Sequence, residues 1–221
     1  MITFSGIDGS GKSTLAQRTV AYLKGKGCRA VKVDVYAGSS FLSIGRLLGS
    51  LSGKARKSLE NNMNSPRRGA GKVLDRSRII FFFVDIAVFA IKLAVLRVRK
   101  IVPVCDRYLY DTLVHLRYRG LVGEKFFFLM LKLIPGPEKA FLLELDPVEA
   151  EKREKEHLPE YYRSKAAFYE DLSGPAGLVS VDTSGERDAV WEKVRLELEK
   201  KRCCSSAAPF HPPGMKPVRT W

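Results

Sequence analysis

Residues 6–14 read Gly-Ile-Asp-Gly-Ser-Gly-Lys-Ser-Thr, a G-x-x-x-x-G-K-S/T spacing suited to holding a chain of phosphates. Gly6, Gly9 and Gly11 let the backbone turn successive N–H groups onto phosphate oxygens, with Asp8 and Ser10 carried between them. A helix beginning near Lys12 aims the positive end of its dipole at the same oxygens. Lys12 reaches the β- and γ-phosphates, the Ser13 hydroxyl is placed to ligate Mg2+, and Thr14 closes the motif.

Such a loop works only between a strand and a helix. The apolar opening Met1-Ile2-Thr3-Phe4 supplies the strand, and Leu15, Ala16, Val20, Ala21 and Leu23 recur at helical spacing behind it. Arg29–Tyr36 reads as a β-branched second strand. Residues 38–51 read as a helix or turn, and 52–72 as a polar, mobile connection. Ile101–Cys105 and Phe141–Leu145 are short apolar strands ending at Asp106 and Asp146. Val179–Val181 is a last strand before a helical pattern over Ala189–Leu198. This alternation predicts an α/β fold, a three-layer P-loop NTPase architecture with a parallel sheet flanked by helices. Ligands of such sheets gather at the carboxyl ends of the strands, where Asp8, Asp106 and Asp146 fall.

A chain of 221 residues, 45% hydrophobic, is expected to bury one core, with a single domain over residues 1–202. The loop begins close enough to Met1 that no signal peptide is expected ahead of it. Cys28, Cys105, Cys203 and Cys204 lack metal spacing and the three histidines are scattered, which argues against a zinc site or a disulfide framework. A reducing, cytoplasmic setting follows.

The formal net charge is +14, with Arg46, Lys54, Arg56, Lys57, Arg67, Arg68, Lys72, Arg76 and Arg78 crowded into one stretch. Two readings stand: contact with a polyanion or an anionic membrane surface, or a solvated face with a few arginines serving a phosphate-rich site. No aromatic interleaving accompanies the charge, so no specific nucleic acid is expected. Residues 203–221 are proline-rich and aperiodic, a disordered tail in which adjacent Cys203 and Cys204 form a weak lipidation signal.

Ile79–Leu96 is apolar apart from Asp85 and Lys92. About 20 apolar residues suffice to cross a bilayer. Two internal charges cost roughly 2.5–3.5 kcal/mol each near its centre. The next strand must also return at once to the same sheet. A buried core helix is therefore the expectation, with Phe81, Phe82, Phe83 and Phe89 as a dimer or membrane-facing patch.

At Asp106-Arg107-Tyr108 the chain resembles the thymidylate kinases, a family of P-loop nucleoside monophosphate kinases. Four motifs occur in family order. Phe4–Thr14 resembles F-E-G-x-D-G-x-G-K-S/T, and Val104–Tyr108 the strand-terminal D-R-Y. Leu145-Asp146-Pro147, with Ala150 and Arg153, resembles the entry to the lid, and Val181–Ser184 the turn near the adenine. The resemblance implies ATP-dependent transfer to a nucleoside monophosphate, dTMP by default, with ATP and Mg2+ as cofactors and a homodimer as precedent.

It also implies roles. Lys12 and the loop amides hold ATP, Ser13 and Asp106 serve Mg2+, and Arg107 clamps the acceptor phosphate. Asp8 faces the acceptor sugar or the metal, and Tyr108 stands beside the acceptor or simply packs. The alternative for Asp106-Arg107 is an ion pair closing a strand. One family branch has a catalytic arginine where this chain has Gly9, so the other branch, with lid arginines, is implied. The lid is taken as residues 150–172, entered by a charged helix Glu151–Glu156, with Arg153 first and Arg163 second as the catalytic arginine.

The departures concern the acceptor. The family's R-E-P-G turn reads Tyr36-Ala37-Gly38-Ser39 here, leaving Arg46 as the phosphate-facing arginine. Counting back from Asp106 puts Phe81 where the family stacks a phenylalanine on thymine, and Asp85 where an arginine bonds its carbonyl. A carboxylate accepts where arginine donates, which points to an acceptor presenting N–H groups, or to Asp85 pairing with Lys92 or Arg78. A kinase for a different small acceptor, and a nucleotide-dependent binding or regulatory protein at a membrane or polyanion, are the alternatives.

Overall fold

Five short strands form one parallel sheet, whose three central runs are buried on both faces between two layers. The computed structural model describes residues 1–35, 72–154 and 157–200, and the backbone alone over 72–78. The expected helix or turn at 38–51, nearly all of the 52–72 connection, Arg46 and the 203–221 tail lie outside the described residues. The strands are β1 (Ile2–Gly6), β2 (Ala30–Asp34), β3 (Val102–Asp106), β4 (Lys139–Glu144) and β5 (Val179–Asp182), in spatial order β2-β3-β1-β4-β5. β1 is central, pairing Thr3 with Cys105 and with Ala140. Each sequence-read strand is present, with ends shifted by one or two residues.

Seven helices are described: α1 (Lys12–Gly25), α2 (Lys72–Val98), α3 (Leu109–Tyr118), α4 (Glu124–Leu133), α5 (Pro147–Arg153), α6 (Pro159–Ala176) and α7 (Arg187–Lys200). Alternate strand residues feed two cores. Ile2, Phe4, Val104, Phe141 and Leu143 pack with Leu15 of α1 and Val190 and Val194 of α7. Cys105, Ala140 and Leu142 pack with Phe82, Phe89, Leu113, Phe127 and Tyr162 from the other helical layer. The rings of Phe4 and Phe141 stack at 5.1 Å across β1 and β4. The three-layer α/β expectation is met.

Two expectations are corrected. Among the described side chains of α2 one stripe is buried, with Phe82, Asp85, Phe89 and Leu93 at helical spacing. Its other side leaves Ile80 and Ile91 about two-thirds exposed, at 64% and 65%. A helix that reads as apolar all round is thus half uncovered, because it lies toward the β2 edge of the sheet and packs on β3 and α3. Ile79–Val98 is long and apolar enough to cross a membrane by length and composition, with mean hydropathy 2.6. The charged run Glu151–Glu156 does not form one helix: α5 ends at Arg153, and Glu154 has extended backbone. Cys105 is a buried free thiol.

Candidate active site

The loop between β1 and α1 is shaped by its glycines. Gly6 has φ 148°, and a Cβ there would sit 2.5 Å from the Leu143 carbonyl oxygen of β4. Gly9 has φ 82°, with Ala150 O and Arg153 Cβ at 3.4 and 3.5 Å from where its Cβ would stand. The loop therefore lies in van der Waals contact with α5, and the positive φ at position 9 is what favours glycine there. Gly11 caps α1 in the left-handed region and contributes no side-chain acceptor to the first-turn amides. That helix start carries Ser13 and Thr14, both exposed.

Lys12 is almost wholly buried. Its Nζ donates to Gly6 O at 2.9 Å and Ile7 O at 2.6 Å, so the side chain folds over its own loop. Burial, together with the nearby Arg107 charge, pulls its pKa down to about 8 against partial relief from Asp8.

Asp8 is the hub of the site. Its Oδ1 lies 2.7 Å from Arg107 and 3.9 Å from Lys12, and its Oδ2 lies 3.7 Å from Lys165. Burial alone raises a carboxyl pKa, but Lys165, Lys12 and Arg107 outweigh it and hold Asp8 well below the usual range. Arg107 comes from the turn after β3 with φ 67°, a left-handed conformation uncommon for arginine. Its N–H bonds Phe4 O at 3.1 Å, fixing that turn to β1. Backbone held in this way is characteristic of sites where a side chain must be aimed.

Asp106, one residue earlier, pairs through Oδ2 with Lys32 of β2 at 2.7 Å. Its Oδ1 is buried and has no hydrogen-bond partner among the described residues. An orphaned carboxylate oxygen and a hydroxyl on the first turn of α1 are hard oxygen donors that fit Mg2+ or its water shell. No group of three His, Cys, Asp or Glu forms a metal site among the described residues.

A cleft of about 770 Å³ runs from Gly9–Leu15 to Thr183, Gly185–Arg187 and Val190, with Arg107 and Arg153 on its walls. Arg153 donates to Glu149 at 3.3 Å and to the Thr183 carbonyl at 3.4 Å. Arg163, the second choice, lines a separate cavity with Ile7, Pro147 and Tyr169. Asp146 at the end of β4 serves as the N-cap of α5, accepting from Val148 N at 2.7 Å.

Lys12, Asp8, Arg107, Arg153 and the loop are thus brought together. Tyr108 is not part of that group. It is fully buried, donates its hydroxyl to Pro135 O, and packs on Phe89 and Tyr110. The substrate contact expected of Tyr108 is therefore corrected to packing. Phe81 and Asp85 both lie on α2, with Asp85 buried and Phe81 partly so.

Sequence reading missed three contributors. Asp111 accepts from Ser5 Oγ at 2.8 Å, Tyr108 N at 2.7 Å and Tyr169 Oη at 2.6 Å, tying β1, α3 and α6 beneath the loop. Its position three residues into the helix after D-R-Y was the available signal. Arg18 lines the cleft and pairs with Asp188 at 2.7 Å. Gly11, Leu15 and Arg18 share one helical face, so spacing alone places it there. Lys165 is the third, buried against Asp8.

With this geometry in place, comparison adds the following. The family model "Thymidylate kinase" matches residues 4–173. The crystal structure of thymidylate kinase from Ehrlichia chaffeensis aligns with TM-score 0.58 and 18% identity, covering 89% of this chain and 97% of that one. No curated protein matches by sequence.

Proposed function

Because the chain belongs to the thymidylate kinase family, we propose that it transfers the γ-phosphoryl group of ATP to a nucleoside monophosphate, with dTMP the default acceptor. The observation that carries this reading is the pair Lys12 and Arg107 meeting at Oδ1 of Asp8. One cation belongs to the triphosphate loop and the other to the end of the neighbouring strand. Two phosphate-binding groups at one carboxylate suit a reaction that joins two phosphates.

The transfer asks the protein mainly for positioning and charge stabilisation. Lys12 leaves its loop carbonyls for the donor phosphates, and the α1 amides complete the cradle. Arg107, with a planar fork suited to two phosphate oxygens, leaves Asp8 for the acceptor phosphate. Arg153, held only by Glu149 and one carbonyl, is the group available to the transferring phosphoryl. Ser13 and Asp106 would hold Mg2+, which on binding neutralises phosphate charge. Gly9 supports this assignment, because the loop carries no arginine of its own at that position.

The acceptor is the part most particular to this chain. A buried Asp85 on α2, where the family has an arginine bonding the thymine carbonyl, favours a base that presents N–H at that point, as cytosine or guanine does, over thymine. A panel of monophosphates with Mg-ATP tests it: faster turnover of CMP- or GMP-type acceptors than of dTMP is expected, and a clear preference for dTMP contradicts the Asp85 reading.

A second reading is favoured by the uncovered face of α2 and the charge of +14. In it the chain is a nucleotide-dependent binding protein at an anionic membrane surface. ADP release that no acceptor stimulates, together with vesicle binding, selects it. A cytoplasmic location and a homodimer belong with the kinase reading.

A further inference from the structure

Lys165 lies in the middle of α6 and is only 5% exposed, a burial that lysine rarely takes without a partner. Its Nζ donates to Tyr161 Oη at 2.5 Å and stands 4.4 Å from the centre of the Tyr161 ring. Tyr161 in turn donates its hydroxyl to Asp8 Oδ2 at 3.1 Å. Residues 161 and 165 are four apart on a helix and so act from one face. The two oxygens of Asp8 are thereby divided. Oδ1 faces Arg107 and Lys12, which have phosphates to bind. Oδ2 faces Tyr161 and Lys165, which sit on the helix packed against α3 and α5.

This division has a consequence in the reaction. When Lys12 and Arg107 move onto phosphate, Asp8 loses both partners at Oδ1 at once. A mostly buried carboxylate left without a counter-charge is costly and free to reorient. We propose that Lys165 is a positioning residue of the transfer step: acting with Tyr161 on Oδ2, it keeps Asp8 in place while Arg107 and Lys12 exchange Asp8 for phosphate. The proposal rests on the phosphoryl-transfer reading above.

The test uses the full chain. Lys165→Met keeps the length of the side chain and removes the ammonium, and Tyr161→Phe removes only the hydroxyl. Both are expected to lower kcat about 10–100-fold, the scale of a misplaced group beside the chemistry, with KM for ATP unchanged. In an Asp8→Asn background, Lys165→Met is expected to cost nothing further. Amide hydrogen exchange gives a readout that needs no turnover: loop residues 7–13 exchange faster in both variants, and α7 does not. If Lys165→Met fails to fold, Tyr161→Phe carries the test alone. Unchanged kcat, an equal loss in the Asp8→Asn background, or unchanged loop exchange overturns the role of Lys165. No acceptor-stimulated turnover in the wild-type protein overturns the kinase reading itself, and the proposal with it.

Discussion

Lys12 and Arg107 are both drawn to Asp8 before any phosphate binds, and this sets the acid–base behaviour of the site. Lys12 titrates at about 8 instead of 10.5 because burial disfavours its charge. Between those two values the unfolded chain holds more protons than the folded one. This group therefore makes stability rise with pH across that window, and contributes no slope below it. Nucleotide binding should reverse the shift, since a polyphosphate favours the ammonium form. Titration calorimetry at pH 8.5 in two buffers of different ionisation enthalpy is expected to show proton uptake on binding ADP, absent in Lys12→Met. Proton release, or uptake that persists in the variant, contradicts this account of Lys12. Asp8 works in the opposite sense: its depressed pKa stabilises the fold above its ordinary range and is lost as pH falls.

At the level of elements, the loop is held by its neighbours as much as by its own sequence. Gly6 faces the β4 backbone, so Gly6→Ala sets a Cβ against Leu143 O as well as straining φ. A loss of at least about 2 kcal/mol in a urea melt is expected, and a change within experimental error contradicts the close approach. The strand–loop–helix unit, the D-R-Y turn and the late V-D-T-S turn were legible because each is local: apolar alternation, turn residues and a dipole in consecutive positions. Less was legible where tertiary packing decides. Tyr108 reads as part of a site motif, yet its ring belongs to the core beside Phe89. Arg153 and Arg163 are both candidates in the charged lid region, first and second, and the structure places them on different cavities, Arg153 on the cleft of the triphosphate loop. Lys165 resembles any helix lysine until α6 brings it to Asp8 in the loop after β1. For α2 as a whole periodicity gave no warning, because an apolar helix carries no stripe to say which side is covered.

For the whole molecule, the uncovered side of α2 and the excess of positive charge are properties that the nucleotide site does not require. Apolar residues this exposed add little to the stability of the described fold. Replacing Ile80 and Ile91 by glutamine is expected to shift the urea midpoint by less than about 0.5 kcal/mol equivalent, while reducing self-association or vesicle binding in light scattering and flotation. A large loss of stability with no change in association means that the face is covered within the folded chain itself. The central claim, that the triphosphate loop and the D-R-Y turn serve one transfer reaction, has a more direct test. It is the rate of ADP release from Mg-ATP, measured with and without a panel of nucleoside monophosphates, in the wild-type protein, Lys12→Ala and Arg107→Met. The account predicts release stimulated by at least one acceptor, abolished in Lys12→Ala and no longer acceptor-dependent in Arg107→Met. Release that proceeds at the same rate whatever monophosphate is present contradicts it.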